Sequence, residues 1–194
     1  MIYGKKQLFT TSLTDTGVTD LEGLGTLRWE GNKLYKWVQY TTGKNNLPAV
    51  VGQVPTYWDK SLTERDGYKN SIVSNDRENN DITLYNRYQN TLNMIAAGVM
   101  ISVPNNMEYC WIQLSGYAEL SLTFRGSPLL PNPRPQFGQA VTAHKGKDTE
   151  PGGAFIGGSL CTMPMTTYTS ESIAGYALET DLSKVNSMIC AFPM

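Results

Sequence analysis

From residue 24 onward the chain alternates apolar and polar side chains, which is the pattern of β-strands that bury one face. Leu27 and Trp29 are separated by one polar residue, and a turn-like sequence over residues 30–33 leads into a second strand over residues 34–40. This second strand carries apolar side chains on both faces, which is typical of a barrel wall or an interface strand. The pattern predicts a mainly β fold, a compact antiparallel β-barrel or β-sandwich.

Buried positions can be predicted from the same alternation. Apolar side chains at positions 120, 122 and 124 alternate with polar ones, so they should share one buried face. Aromatic side chains in strands belong to a core or an interface more often than to a ligand site. The predicted core residues are Trp29, Trp37, Trp111, Leu120, Leu122 and Phe124.

Three segments depart from the strand pattern. Residues 1–23 are polar and rich in Thr, which predicts an extended N-terminal arm beside a β domain over residues 24–194. Residues 82–97 repeat apolar side chains every three to four positions and predict an amphipathic helix, with no second substantial helix elsewhere. Residues 125–159 hold five prolines and seven glycines and predict a long loop excursion, of a kind that is usually functional or ordered by a partner.

The charge balance and the apolar runs limit the classes of partner. The chain has 16 Lys and Arg against 17 Asp and Glu, and its largest basic cluster is Lys5-Lys6. Because binding to nucleic acid requires a basic face, we expect no nucleic-acid partner. The longest apolar stretch, Met94 to Val103, is too short to cross a bilayer, and the N-terminus lacks the apolar run of a signal peptide. We therefore expect no membrane partner and synthesis in a cytoplasm.

Catalytic and metal-binding patterns do not emerge from the sequence. Three cysteines without a CxxC spacing favour buried thiols over a zinc site or a disulfide framework. The single histidine, His144, has no cysteine or carboxylate at ligand spacing. Glu108, Glu119 and Asp59 are more typical of solvated positions than of a paired-carboxylate hydrolase site. The sequence predicts that the chain is not an enzyme and has no catalytic residue, metal or cofactor.

Five segments, in the same order along the chain, resemble the capsid decoration, or cement, proteins of tailed bacteriophages. They are residues 24–40 (LGTLRWEGNKLYKWVQY), 50–52 (VVG), 96–99 (AAGV), 109–116 (YCWIQLSG) and 188–193 (MICAFP). The predicted helix and the Pro- and Gly-rich excursion have no counterpart in this pattern.

The resemblance implies a structural virion protein that sits on the outer capsid surface, binds the major capsid protein and stabilises the head. It also implies self-association, most often as a trimer. Apolar side chains in the arm would suit strand addition to a partner, and those of the two-faced strand would suit subunit packing. The candidate partner-binding residues are Tyr3, Leu8, Phe9, Leu13, Val18, Tyr35 and Trp37.

Two alternatives stay open at this point. The arm, instead of binding a partner, could pack back on its own domain as an extra strand. The whole protein could instead be a carbohydrate-binding module or a receptor-binding head fibre, because four tryptophans and eleven tyrosines could supply a platform for sugar rings. Among the tryptophans, Trp58 is the one whose replacement would test this second function.

Overall fold

A computed structural model describes eight stretches of the chain. They are residues 8–43, 46–58, 70–76, 96–121, 140–143, 160–162, 173–179 and 186–192. In these stretches the chain forms strands, bridges, turns and irregular segments but no helix, and the predicted mainly β fold is confirmed. The strands are β1 (Thr16–Gly17), β2 (Leu27–Glu30), β3 (Lys33–Tyr40), β4 (Thr56–Tyr57), β5 (Ile72–Ser74), β6 (Val99–Met100), β7 (Tyr109–Leu120), β8 (Ala140–Ala143), β9 (Leu160–Thr162), β10 (Ile173–Glu179) and β11 (Asn186–Ala191).

These strands build one curled, open sheet with the shape of a half-barrel. Its main path runs β4-β5-β3-β7-β11-β10-β8-β9, while β1 and β6 also pair with β7, and β2 pairs with β3. β3 and β5 are parallel, and the other described pairs are antiparallel. The twelve-residue strand β7 lies at the centre, because it pairs with β3 over its first half and with β11 over its second half.

Strand β3 is apolar on both faces because each face packs against a different cluster. Leu34, Val38 and Tyr40 join the main core, which also contains alternate residues of β7. Tyr35 and Trp37 point the other way and pack with Trp111 of β7, in a second cluster. The two-faced pattern of residues 34–40 therefore marks a strand that is covered on both sides.

The predicted core is partly right. Trp37, Trp111 and Leu120 are buried, as expected, whereas Leu122 and Phe124 lie outside the described residues. The expectation for Trp29 was wrong, because its side chain is 65% exposed. Trp29 belongs to the short strand β2, which pairs with β3 on one side and with no other described strand.

The predicted helix and loop excursion fall mostly outside the described residues. Of the range 82–97, residues 96 and 97 are described, and Ala96 forms a β-bridge with Thr56. In the range 125–159, where a loop was expected, residues 140–143 form β8, because they pair with β9 and β10. The part of the chain that the structure describes contains no helix that is long and apolar enough to cross a bilayer.

Candidate interaction surface

Residues 8–23, here called the strap, cross the face of the sheet that carries the second cluster. Thr16 and Gly17 pair with Cys110 and Tyr109 as strand β1. Phe9 and Leu13, both partly buried, pack against the second cluster together with Ile101 and Tyr109. The described part of the N-terminal arm therefore takes the alternative arrangement, in which it packs on its own domain and adds a strand.

The second cluster, here called the aromatic cluster, is built around Trp111. The rings of Trp37 and Trp111 lie 5.1 Å apart between centroids and are tilted by 60°. Phe9 meets Trp111 edge-on at 5.6 Å, and Tyr109 stacks on Trp37 at 6.3 Å. Edge-on and offset stacked pairs of this kind are the favoured geometries of aromatic rings, and they add to the stabilisation from buried area.

Polar groups of the strap satisfy the polar atoms of this cluster. The Trp111 indole N–H donates to the Thr11 hydroxyl at 2.9 Å, and the Trp37 indole N–H donates to the Asp20 carboxylate at 2.9 Å. The Arg28 guanidinium donates to the carbonyl oxygen of Thr11 at 2.8 Å. Since a buried indole N–H needs a partner, these bonds make the strap part of the folded domain.

One carboxylate oxygen of Glu22 accepts four hydrogen bonds and so links the end of the strap to its beginning. The backbone N–H and the hydroxyl of Thr10 and of Thr11 all donate to it, at distances between 2.7 and 3.1 Å. Partial burial by itself would raise the pKa of Glu22, but the hydrogen bonds from Thr11 and Thr10 outweigh it and hold that pKa below its ordinary value of 4.5. Glu22 is therefore an ionised anchor for the start of the strap.

Acid should loosen the strap before the rest of the domain. Because the folded pKa of Glu22 lies below its unfolded value, its stabilising effect is present above pH 4.5 and is lost as pH falls through the folded pKa. We expect tryptophan emission to shift to the red over this range, as the strap leaves Trp111. In the Glu22→Gln variant the shift should be present in part at neutral pH and should depend less on pH.

The matched control is Glu119→Gln, since the side chain of Glu119 lies exposed on β7. An acid-induced shift that is identical in the parent, Glu22→Gln and Glu119→Gln proteins would show that Glu22 does not hold the strap.

The predicted partner-binding residues fall into two groups. Phe9, Leu13, Tyr35 and Trp37 come together in the aromatic cluster, whereas Leu8 and Val18 are 80% and 79% exposed on the strap. Tyr3 lies outside the described residues. Leu8 and Val18 are available to a partner, and the role of the whole set in partner binding stays a prediction.

A second exposed feature was missed by the sequence reasoning. Tyr117 of β7 pairs with Ile189 of β11, and Ile189 pairs with Tyr176 of β10, so the three side chains form one row across adjacent strands. Each is more than 40% exposed. We call this set the apolar row. Tyr117 alternates with the buried Ala118, a pattern visible in the sequence, but its neighbours Tyr176 and Ile189 lie 59 and 72 residues further along the chain.

Ionisable groups inside the sheet do not contribute to these surfaces. The Lys36 amine donates to the Tyr57 hydroxyl at 3.0 Å, both side chains are buried, and burial lowers the pKa of Lys36. Burial also raises the pKa of Cys110 and of Cys190 to about 12, so these thiols are protonated near neutral pH. These groups take part in packing within the domain.

Comparisons add no relative to this picture. The chain matches no protein-family model, no curated protein and no solved structure. Among the described residues, no group of three or more His, Cys, Asp or Glu is placed to hold a metal ion.

Proposed function

We propose that this chain is a structural virion protein that binds the outer surface of a tailed-phage capsid and stabilises the head. Its partners in this proposal are the major capsid protein and further copies of itself, with a trimer as the oligomer that the sequence resemblance favours. The proposal assigns no catalytic residue and no cofactor.

The observation that carries the proposal is the apolar row on the sheet face. Tyr117, Ile189 and Tyr176 lie on adjacent strands of a hydrogen-bonded sheet, so their positions are fixed relative to one another. Contiguous exposed apolar side chains mark protein contact sites more often than isolated ones do, and tyrosine is enriched among the residues that dominate binding energy. A rigid apolar row suits docking on another protein surface.

The sequence resemblance supports the same proposal through the places where its segments lie. Residues 24–40 supply β2 and β3, and residues 109–116 supply the first half of β7, which pairs with β3. Residues 188–193 supply most of β11, which pairs with the second half of β7. Three of the five resembling segments therefore lie on neighbouring strands at the centre of the sheet, whereas residues 50–52 lie in a turn.

Co-sedimentation with purified phage heads that lack the protein tests this function. The parent protein should pellet with the heads in a saturable manner, and the double variant Tyr117→Ser, Tyr176→Ser should bind at least about tenfold more weakly. Both side chains are exposed, so the variant should lose little stability, within about 0.5 kcal/mol for each change.

Val103→Ser is the matched control. Val103 is 58% exposed and lies beyond β6, which pairs with residues 112–113 of β7, away from Tyr117. This variant should bind as the parent does. Parent protein that stays in the supernatant at every concentration of heads would reject the proposed function, and equal binding of all three proteins would reject the apolar row as its contact.

A carbohydrate-binding or receptor-binding head-fibre module is the second candidate. Tyr117 and Tyr176 lie two strands apart, roughly 10 Å, and exposed aromatic rings on a sheet can stack on sugar rings. Trp58, the residue that the sequence suggested for this role, is buried. Binding to a glycan array that Tyr176→Ala abolishes, without binding to heads, would favour this candidate.

A further inference from the structure

The hairpin formed by β2 and β3 leaves an open edge on the sheet. β2 pairs with β3 on one side, and none of the described strands pairs with its other side. Trp29 is 65% exposed and Leu27 is 38% exposed on this strand. An edge strand with exposed apolar side chains is a template for pairing with another chain.

The geometry of the hairpin determines which backbone groups face the open edge. Glu30 and Lys33 flank a two-residue turn whose first residue, Gly31, has a φ of 61°, as in a type II′ turn. In this hairpin the flanking residues exchange hydrogen bonds with each other, and every second pair along the ladder does the same. Arg28 and Tyr35 form the next such pair.

The same alternation continues beyond the strand. The backbone N–H of Trp37 donates to the carbonyl oxygen of Thr26 at 2.9 Å, and the carbonyl oxygen of Trp37 accepts from the N–H of Gly25 at 2.9 Å, so the third bonded pair is completed one residue further along, as in a bulge. Leu27 and Trp29 lie between the bonded pairs, so their backbone N–H and C=O groups point away from β3. At these two residues, both the exposed side chain and the outward backbone groups are available to a partner strand.

We propose that β2 pairs antiparallel with β2 of a second copy of this chain, around a two-fold axis beside Trp29. The two Trp29 residues then face each other as a hydrogen-bonded pair, and their side chains meet across the new ladder. A two-fold contact of this kind uses the same patch on both copies and closes as a dimer. The two open sheets become one continuous sheet.

Charge complementarity argues for a second copy as the occupant. Around an axis at Trp29, Arg28 stands directly opposite Glu30 of the partner subunit, and the contact is repeated by symmetry. Within one chain the Arg28 guanidinium already contacts the Glu30 carboxylate at 2.7 Å, while the Glu30 side chain stays 53% exposed. The Glu30 carboxylate is therefore accessible to a second guanidinium, and the partner subunit's Arg28 would share it through the 18% of its side chain that stays exposed beside its bond to Thr11.

The register next to this one is disfavoured by the same charges. An axis at Arg28 would place two Arg28 side chains directly opposite each other, and like charges in that position are destabilising. The sequence Leu27–Glu30 is therefore self-complementary in the register centred on Trp29. This inference does not rest on capsid binding. A trimer is built from two different patches of each copy, so the two-fold β2 contact would form in addition to the trimer contact.

Cysteine cross-linking tests the register directly. Residues that face each other as a hydrogen-bonded pair have Cα atoms about 5.5 Å apart, within the range that a disulfide spans. Under oxidising conditions Trp29→Cys should give a covalent dimer on a non-reducing gel. Leu27→Cys should not, because residue 27 of one copy and residue 27 of the other are four positions apart along the paired strands. The unmodified protein controls for the native cysteines.

Sedimentation equilibrium tests the charge argument without a change at Trp29. Glu30→Lys replaces two attractive cross-strand contacts with repulsive ones and should weaken self-association about tenfold. Glu119→Lys makes the same charge change on β7 and should leave it unaltered. The proposal is overturned if Trp29→Cys fails to cross-link, if Leu27→Cys cross-links as well, or if Glu30→Lys associates as the parent does.

Discussion

Replacing Trp111 with Ala should lower the free energy of unfolding by about 3–5 kcal/mol. Trp111 is fully buried at the centre of the aromatic cluster, where it contacts the rings of Trp37 and Phe9. Its loss would leave a cavity between sheet and strap, and it would remove the hydrogen bond to Thr11. Denaturant unfolding followed by circular dichroism measures the change.

Two further variants separate the contribution of the buried ring from that of the hydrogen bond and test the placement of Trp111. Trp111→Phe keeps an aromatic ring, so it should cost less than the Ala change. The cost that remains includes the lost hydrogen bond to Thr11. Trp29→Ala removes a tryptophan that is 65% exposed and should change stability by less than about 0.5 kcal/mol. Equal losses for Trp111→Ala and Trp29→Ala would mean that the two indoles are placed wrongly relative to the core.

Replacing Gly52 with Ala should cost about 2–5 kcal/mol. Gly52 has a φ of 80°, in the left-handed region, and a Cβ there would collide with the backbone nitrogen of Ser121. The Gly52 N–H donates to Met100, and its carbonyl accepts from Ser121, so the segment is held on both sides and cannot easily move away. Thermal or denaturant unfolding measures the loss.

Other glycines serve as controls for the two contributions to this cost, the backbone strain and the steric collision. Gly31 has a φ of 61° but open space where a Cβ would be, so Gly31→Ala should cost only about 1 kcal/mol of backbone strain. Gly17 has neither restriction, and Gly17→Ala should be close to neutral, within about 0.5 kcal/mol. A Gly52→Ala variant no less stable than Gly31→Ala would contradict the close packing of Gly52 on Ser121.

Sequence patterns predicted the fold class and much of the centre of the sheet. The two-faced strand over residues 34–40 and the aromatic segment around Trp111 are the two strands with the most extensive burial. These two strands were recognisable from the local sequence because both of their faces carry apolar residues, which gives a nearly continuous apolar run. Trp29 was misplaced because alternation shows which residues share a face, but it does not show whether that part of the sheet is covered.

The surfaces depend on contacts that are distant in sequence, and this is why they were predicted poorly. Trp111 and its hydrogen-bond acceptor Thr11 are 100 residues apart, and the apolar row joins Tyr117 to Ile189 and Tyr176. The strap contains polar anchors, such as Glu22, whose partners are visible only after the chain is folded. Composition drew attention to apolar residues in the arm, but it could not decide between a partner and the chain's own sheet.

The most direct measurement of the proposed function is a cryo-electron microscopy reconstruction of phage heads that have been saturated with the protein. We expect additional density at equivalent positions on the outer surface of the shell, in which the half-barrel fits with Tyr117, Ile189 and Tyr176 toward the capsid. Heads that show the same outer surface with and without the protein would contradict it, as would density that places the apolar row toward solvent.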